Sequence, residues 1–222
     1  VIDSAFFFAW VIAFIFGTAW QKFCQAFVAT MLGDPTPRKE GRLTLNPFVH
    51  HSALGLIFAF LIGLGTRLVA WGKPLNINTY ALRGRKLGYF LVSITVPLSS
   101  FLLAVVIWLA SSSYISSANA TAFLPRFLFW LVVVNLFLTA FNLIPIPPLG
   151  GWDILRSLLP DDWNQRIQPF EEYGLLTLLI IIFLLPFLTL GRFNPLFDFV
   201  LNPIVSALLQ LISGVGRAVF PV

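Results

Sequence analysis

The chain has 222 residues, 58% of them hydrophobic and 10% charged, with a mean hydropathy of +0.89. Soluble domains are about a quarter charged, so this composition excludes an ordinary soluble domain; with 24 Phe and 7 Trp it indicates an all-α polytopic membrane protein. The net charge of +5 makes no case for nucleic acid, because basic residues in membrane chains mainly set orientation.

The first predicted helix spans about 4–32, with Ser4 as N-cap and Gly33 as stop. Its apolar opening, Ala5 to Ala19, lacks a basic stretch ahead and a cleavage site behind, so a retained membrane helix is expected. Cys24, the one cysteine, excludes an intrachain disulfide and reads as an inert thiol in an apolar stretch. Residues 34–53 are polar and broken by Pro and Gly, with a short strand predicted over Gly41 to Pro47. Residues 54–71 are apolar but carry three glycines and Arg67, and residues 72–86 are polar and basic.

Long apolar helices are predicted over about 87–110 and 124–144, joined by a Ser-rich link from Ser111 to Thr121. Pro145, Pro147 and Pro148 end the second, since consecutive prolines cannot continue a helix. Residues 151–172 hold most of the acidic residues, and Asp161 to Glu172 reads as an amphipathic segment able to dock a soluble partner. Two further helices fit 173–190 and 195–216. Without a repeat or a low-complexity linker, residues 1–222 are expected to form a single transmembrane domain.

Four stretches carry a family resemblance. Phe141-Asn142-Leu143-Ile144-Pro145-Ile146-Pro147-Pro148-Leu149-Gly150-Gly151 resembles the Asn-x-x-Pro-x-Pro-x-x-Asp-Gly segment of the site-2 protease family of intramembrane zinc metalloproteases, with Gly150 where the family has a ligand Asp. Ala26 to Pro37 resembles the stretch that follows the family's H-E-x-x-H motif; aligned on it, that motif falls on Gln21-Lys22-Phe23-Cys24-Gln25. Gly41 to Pro47 with His50 is a third piece. Val96-Pro97-Leu98-Ser99-Ser100 resembles a Gly-Pro-x-x-Asn turn, departing from it at Val96 and Ser100. The resemblance runs over about 18–155. It implies a site-2-protease-like helical core with a short β-hairpin or re-entrant insertion, an active-centre place for Asn142, and an extended edge at Pro145, Pro147 and Pro148 that receives a partner strand.

In that family the two motifs meet at one membrane depth. Here they fall near the C-terminal ends of helices 4–32 and 124–144, which must therefore run parallel. Helix 87–110 supplies one crossing between them, so 54–71 is expected to be re-entrant or interfacial; its unbroken apolar part is shorter than the roughly 20 residues a span needs. Arg38, Lys39, Arg42, Lys73, Arg83, Arg85, Lys86, Arg156, Arg166 and Arg217 then share one face, against Arg126 and Arg192 on the other. The positive-inside rule makes the crowded face cytoplasmic or stromal, in a bacterial inner membrane or a thylakoid, with the N-terminus opposite.

Positions 21 and 25 are one helical turn apart and share a face. With His there and Glu between, they would grip zinc beside a general base, and an Asp from another helix would complete the ligands. A glutamine amide is a poor zinc ligand, the Lys22 ammonium repels a cation, and Gly150 has no side chain. Zinc is therefore expected to be lost. Cys24, His50, His51 and Asp153 are the candidates for a rebuilt site, though Cys24 is off the ligand spacing and the two adjacent histidines point apart. Asp153 is a candidate ion-pair partner for Lys22; the alternative is that Lys22 reaches toward the interface.

The expected function is that of a catalytically inactive homologue: a membrane scaffold, assembly factor or accessory subunit that binds transmembrane partners. The alternatives are a working intramembrane zinc protease with atypical ligands, and a transporter or a pigment- or lipid-binding subunit. The partners expected are membrane lipids and other integral membrane proteins. No resident cofactor is expected, with bound lipid or pigment left open by exposed aromatics such as Phe6, Phe7, Phe8, Trp10, Phe127, Phe129 and Trp130.

Overall fold

A computed structural model describes residues 3–64, 70, 72–116, 122–189 and 194–214. Its elements in chain order are α1 (Ser4–Met31), α2 (Thr36–Lys39), α3 (Pro47–His50), α4 (Ala53–Gly63), α5 (Lys86–Ile115), α6 (Phe123–Leu143), α7 (Gly150–Leu158), α8 (Asp161–Ile167), α9 (Pro169–Leu179), a π-helical segment (Ile180–Leu184), α10 (Leu185–Leu188), a second π-helical segment (Leu196–Leu201) and α11 (Asn202–Ser213). Helices α1, α5 and α6, and the helical run Leu196–Ser213, are long and apolar enough to cross a bilayer. A bent run through α8, α9 and Ile180–Leu184 is a fifth candidate, broken by 41°.

α1 packs by a small-residue stripe. Ala5, Ala9, Ala13 and Gly17 recur every four residues, are buried, and let a neighbouring helix approach closely. A Cβ on Gly17 would lie 3.2 Å from Asn135 Oδ1 and 3.3 Å from Leu138 Cδ1, so that neighbour is α6. The stripe continues through Gln21 and Gln25, which are also buried. α6 is the central helix: every residue from Val132 to Phe141 is buried.

α1 and α6 run parallel, because both their ends meet. At the N-terminal ends, the Asp3 carboxylate pairs with the Arg126 guanidinium and accepts from Trp130 Nε1 at 3.4 Å. At the C-terminal ends, Gln21, Lys22 and Gln25 share a cavity with Asn142 and Gly150. α5 runs antiparallel to α1: Arg83 N, just before α5, donates to Leu32 O at 2.7 Å, while Trp20 Nε1, deeper along α1, donates to Ser99 O at 3.3 Å.

α4 enters and returns on one side. His51 Nε2 meets Ile15 O at 2.9 Å, level with the middle of α1. At the far end of α4 a Cβ on Gly63 would lie 2.9 Å from Phe7 and 3.4 Å from Val11, near the start of α1. By Gly72 the chain is back beside Thr18, and Lys73 N donates to His50 O at 2.7 Å, closing entry onto exit. Eleven residues of helix rise only about 16 Å, half a hydrocarbon core. Arg67, Arg192 and Arg217 lie outside the described residues.

Several sequence expectations are corrected. The N-cap of α1 is Asp3 rather than Ser4; its Oδ1 accepts from Ala5 N at 3.0 Å. No strand forms at 41–47, nor elsewhere among the described residues. Arg42 instead bends that stretch round, donating to Val49 O at 2.6 Å and Pro74 O at 3.3 Å, while Asn46 caps α3 by accepting from Phe48 N. α5 runs five residues past 110 into the Ser-rich link, where Ser111 Oγ donates back to Ile107 O at 2.5 Å and relieves the hydroxyl of competing with the helix. In the acidic segment Asp161 pairs with Lys86 at 3.0 Å and Glu171 with Arg156 and Trp152, while Asp162, Trp163 and Phe170 stay exposed.

Candidate functional site

The four motif-equivalent positions Gln21, Lys22, Gln25 and Gly150 line one cavity of about 320 Å³, together with Asn142 and Asp153. α1 delivers the first three from one face. The helix break after Leu143 delivers the others, because Pro145 to Pro148 turn the chain so that α7 starts at Gly150. The far wall is apolar: Phe14, Leu138, Phe141, Leu178, Ile182 and Phe183. Gln25, Leu75 and Asp153 also line a second chamber of about 700 Å³, a polar vestibule bounded by Tyr80, Arg85, Lys86, Tyr89 and Arg156.

Among the described residues no three His, Cys, Asp or Glu side chains converge. Gln21 Nε2 donates to Ser100 Oγ across the α1–α5 contact. Both residues depart from the family's pattern, and they bond to each other. Gln25 Oε1 accepts from Lys22 Nζ at 3.4 Å. Asn142 Nδ2 is turned back to Leu138 O on its own helix at 2.8 Å. Gly150 places no side chain at the ligand position: a Cβ there would lie 3.3 Å from Asn142 O and 3.5 Å from Asn142 Oδ1, a close fit that Asn142 would have to yield to slightly.

Of the candidate substitute ligands, His50, His51 and Cys24 do not line the cavity, and each histidine leaves a buried Nδ1 without a partner among the described residues. His50 Nε2 donates to Thr44 O at 2.8 Å and His51 Nε2 to Ile15 O, so each imidazole serves a backbone carbonyl. Burial pushes the pKa of both below the ordinary histidine value, against the raising effect of those carbonyls. Cys24 is half-buried and does not line the cavity. Only Asp153 reaches it, and its Oδ1 accepts from Tyr89 OH at 2.6 Å. Burial raises the Asp153 pKa, while the Tyr89 hydrogen bond and the Lys22 and Arg156 charges pull it down. Lys22 and Asp153 thus share the cavity without a direct ion pair; the pairing read from sequence gives way to Lys22–Gln25 and Tyr89–Asp153.

At the edge expected at Pro145, Pro147 and Pro148 the backbone donors are used within the turn. Prolines carry no N–H, and the N–H groups of Ile144, Ile146 and Leu149 donate to Phe141 O, Ile144 O and Ile146 O. α9 seals the turn, since a Cβ on Gly174 would lie 2.3 Å from Pro147 Cβ and 2.8 Å from Pro147 O. The Pro147–Pro148 peptide is cis.

A segment without regular secondary structure that sequence reasoning passed over has free backbone groups. Residues 72–78 are held at their ends, by Lys73 N to His50 O and by Asn78 N to Asp34 Oδ2 at 2.8 Å. Between these, the backbone groups of Leu75, Asn76 and Ile77 meet no partner among the described residues. Leu75 borders both chambers and Ile77 the vestibule. Leu75, Asn76 and Ile77 alternate apolar and polar, which was the available signal. Thr18 was also passed over: it is buried, lines the cavity one turn before Lys22, and its hydroxyl has no partner among the described residues.

A family model described as peptidase family M50 matches residues 5–186. The chain is 33% identical over 215 residues to "Putative zinc metalloprotease YwhC" of Bacillus subtilis (strain 168), a match covering 92% of this chain and 91% of that protein. It is 29% identical over 168 residues to "Putative zinc metalloprotease Rip2" of Mycolicibacterium smegmatis, covering 73% of this chain and 61% of that one. Rip2 of Mycobacterium tuberculosis (strain H37Rv) is 29% identical over 172 residues, with 75% and 62% covered. The chain therefore spans about three-fifths of the Rip2 proteins. No solved structure matches.

Proposed function

The chain belongs to peptidase family M50, the site-2 protease family, and on that footing we propose that it binds membrane-embedded segments of partner proteins without cutting them, as a metal-free scaffold, assembly factor or accessory subunit. One observation carries this reading. The positions where the resemblance places two zinc-binding histidines, a general base and a ligand Asp do converge on a single cavity, but the side chains there are two amides, an ammonium and none. A catalytic zinc needs three anionic or imidazole ligands and an open position for water. Two neutral amides beside a cation do not replace them, and Asp153 alone is one ligand. The names of YwhC and Rip2 speak of metal chemistry in those proteins; the donor set of this chain supports a different use of the same frame.

The segment at 72–78 supplies a means of holding. Backbone with free N–H and C=O groups pairs with a partner strand, and the alternate side chains select it. The basic loops, set against Arg126 at the other end, support a cytoplasmic or stromal placement of this face in a bacterial inner membrane or a thylakoid.

Metal analysis and peptide cleavage by the purified full chain test the proposal together. The expected result is no stoichiometric zinc and no cleavage. The quadruple variant Gln21→His, Lys22→Glu, Gln25→His, Gly150→Asp is expected to gain one zinc per chain, since the frame already brings the positions together. Stoichiometric zinc in the unaltered protein, or cleavage that a chelator stops, would overturn the reading.

A further inference from the structure

Lys22 is the one cation lining the intramembrane cavity among the described residues, and its bonding is incomplete. An ammonium carries three donors and no acceptor. Among the described residues its only hydrogen-bond partner is the neutral Gln25 Oε1, at 3.4 Å. The one carboxylate of the cavity, Asp153, is engaged by Tyr89 instead and makes no direct ion pair with Lys22. Charged side chains at membrane depth are costly unless paired. One turn earlier on the same helix, Thr18 lines the same cavity, is 4% exposed, and carries a buried hydroxyl with no partner among the described residues. Thr18 and Lys22 stand at i and i+4, so both face the space between α1 and the apolar wall of Leu138, Phe141 and Ile182.

The geometry points to a specificity site for an apolar partner segment that carries one acidic side chain, with that carboxylate received by Lys22 and Thr18. The inference rests on the holding function proposed above and names what is held. A peptide suits the site better than a lipid because Leu75, whose backbone groups meet no partner among the described residues, borders this cavity and leads through Asn76 to Ile77 on the adjoining vestibule, and only a polypeptide offers backbone groups to match them. The apolar wall takes the flanking residues, and the acidic residue supplies the acceptor that Lys22 lacks.

The test uses the full chain in nanodiscs and labelled Leu/Ala peptides of about 20 residues, with one central Glu or the isosteric Gln. The Glu peptide is expected to bind roughly 10- to 100-fold more tightly than the Gln peptide, the scale of a hydrogen bond to a charged group. Lys22→Met is expected to bind both with the weaker affinity, and Lys22→Arg to restore the preference, which separates lost recognition from lost folding. Equal binding of the two peptides by the unaltered protein would overturn the carboxylate site while leaving the holding function in place. Binding of neither peptide overturns both, and Lys22-dependent binding of palmitate in that case would reassign the cavity to a lipid.

Discussion

Asp153 sits where burial and hydrogen bonding oppose each other. The Tyr89 hydroxyl is its direct partner, so Tyr89→Phe leaves a buried carboxylate one donor short. A loss of about 1.5–3 kcal/mol is expected, the cost of a hydrogen bond to a charged group, measured by denaturant unfolding in detergent. His50 and His51 set an acid limit. Burial lowers both pKa values, so the unfolded chain, with histidines near 6.5, binds more protons than the folded one as pH falls below that value. Their contribution is complete above about pH 6.5 and is lost on acidification below it. Asp153 has the opposite sign: its raised pKa makes the folded state take up the proton first, favouring folding as pH falls toward the ordinary carboxylate range. Thermal midpoints should therefore drop between about pH 7 and 5, more steeply in Asp153→Asn and less steeply in His51→Gln.

At the scale of elements, the turn from α6 into α7 depends on two adjacent glycines with unequal freedom. A Cβ at Gly151 would stand 2.4 Å from both Leu143 O and Ile144 O, backbone atoms that cannot yield. At Gly150 the nearest atom is 3.3 Å away. Gly151→Ala is expected to cost at least the roughly 1–3 kcal/mol of an overpacked site, and Gly150→Ala less, since only a slight shift of Asn142 is needed; melting temperatures compare the two directly. Gly174→Val should separate α9 from Pro147 and expose the proline turn to added protease. The small-residue stripe of α1 ties packing to site, since the four-residue spacing that seats Ala5 to Gly17 against α6 also turns Gln21 and Gln25 inward.

For the whole molecule, the arrangement rests on parity. α1 and α6 are parallel and α5 is antiparallel, so the segment holding α4 must begin and end on one side. In a Cys24→Ser background, cysteines placed at Lys39 and Lys73 are expected to react with an impermeant maleimide from the same face of sealed vesicles, and one at Arg126 from the opposite face. Labelling of positions 39 and 73 from opposite faces would make residues 54–71 a full span and break the alignment of the two motifs.

Composition and periodicity determined the membrane class and the three long helices that meet at the cavity, because apolar length is a property of the chain itself. Residue identity determined the poverty of metal donors: Gln, Lys and Gly have the same coordination chemistry in any fold. Tertiary structure alone decided which groups meet. Lys22 bonds Gln25 rather than Asp153 because Tyr89, 64 positions from Asp153 in sequence, arrives on α5 at the start of α7. Gly174 lies against the proline turn, while Arg42 and Asp34 tether residues 74 and 78 of the segment that carries free backbone groups. Hydrogen-bond partners are set by distance in space, and no local pattern encodes a contact between segments so far apart.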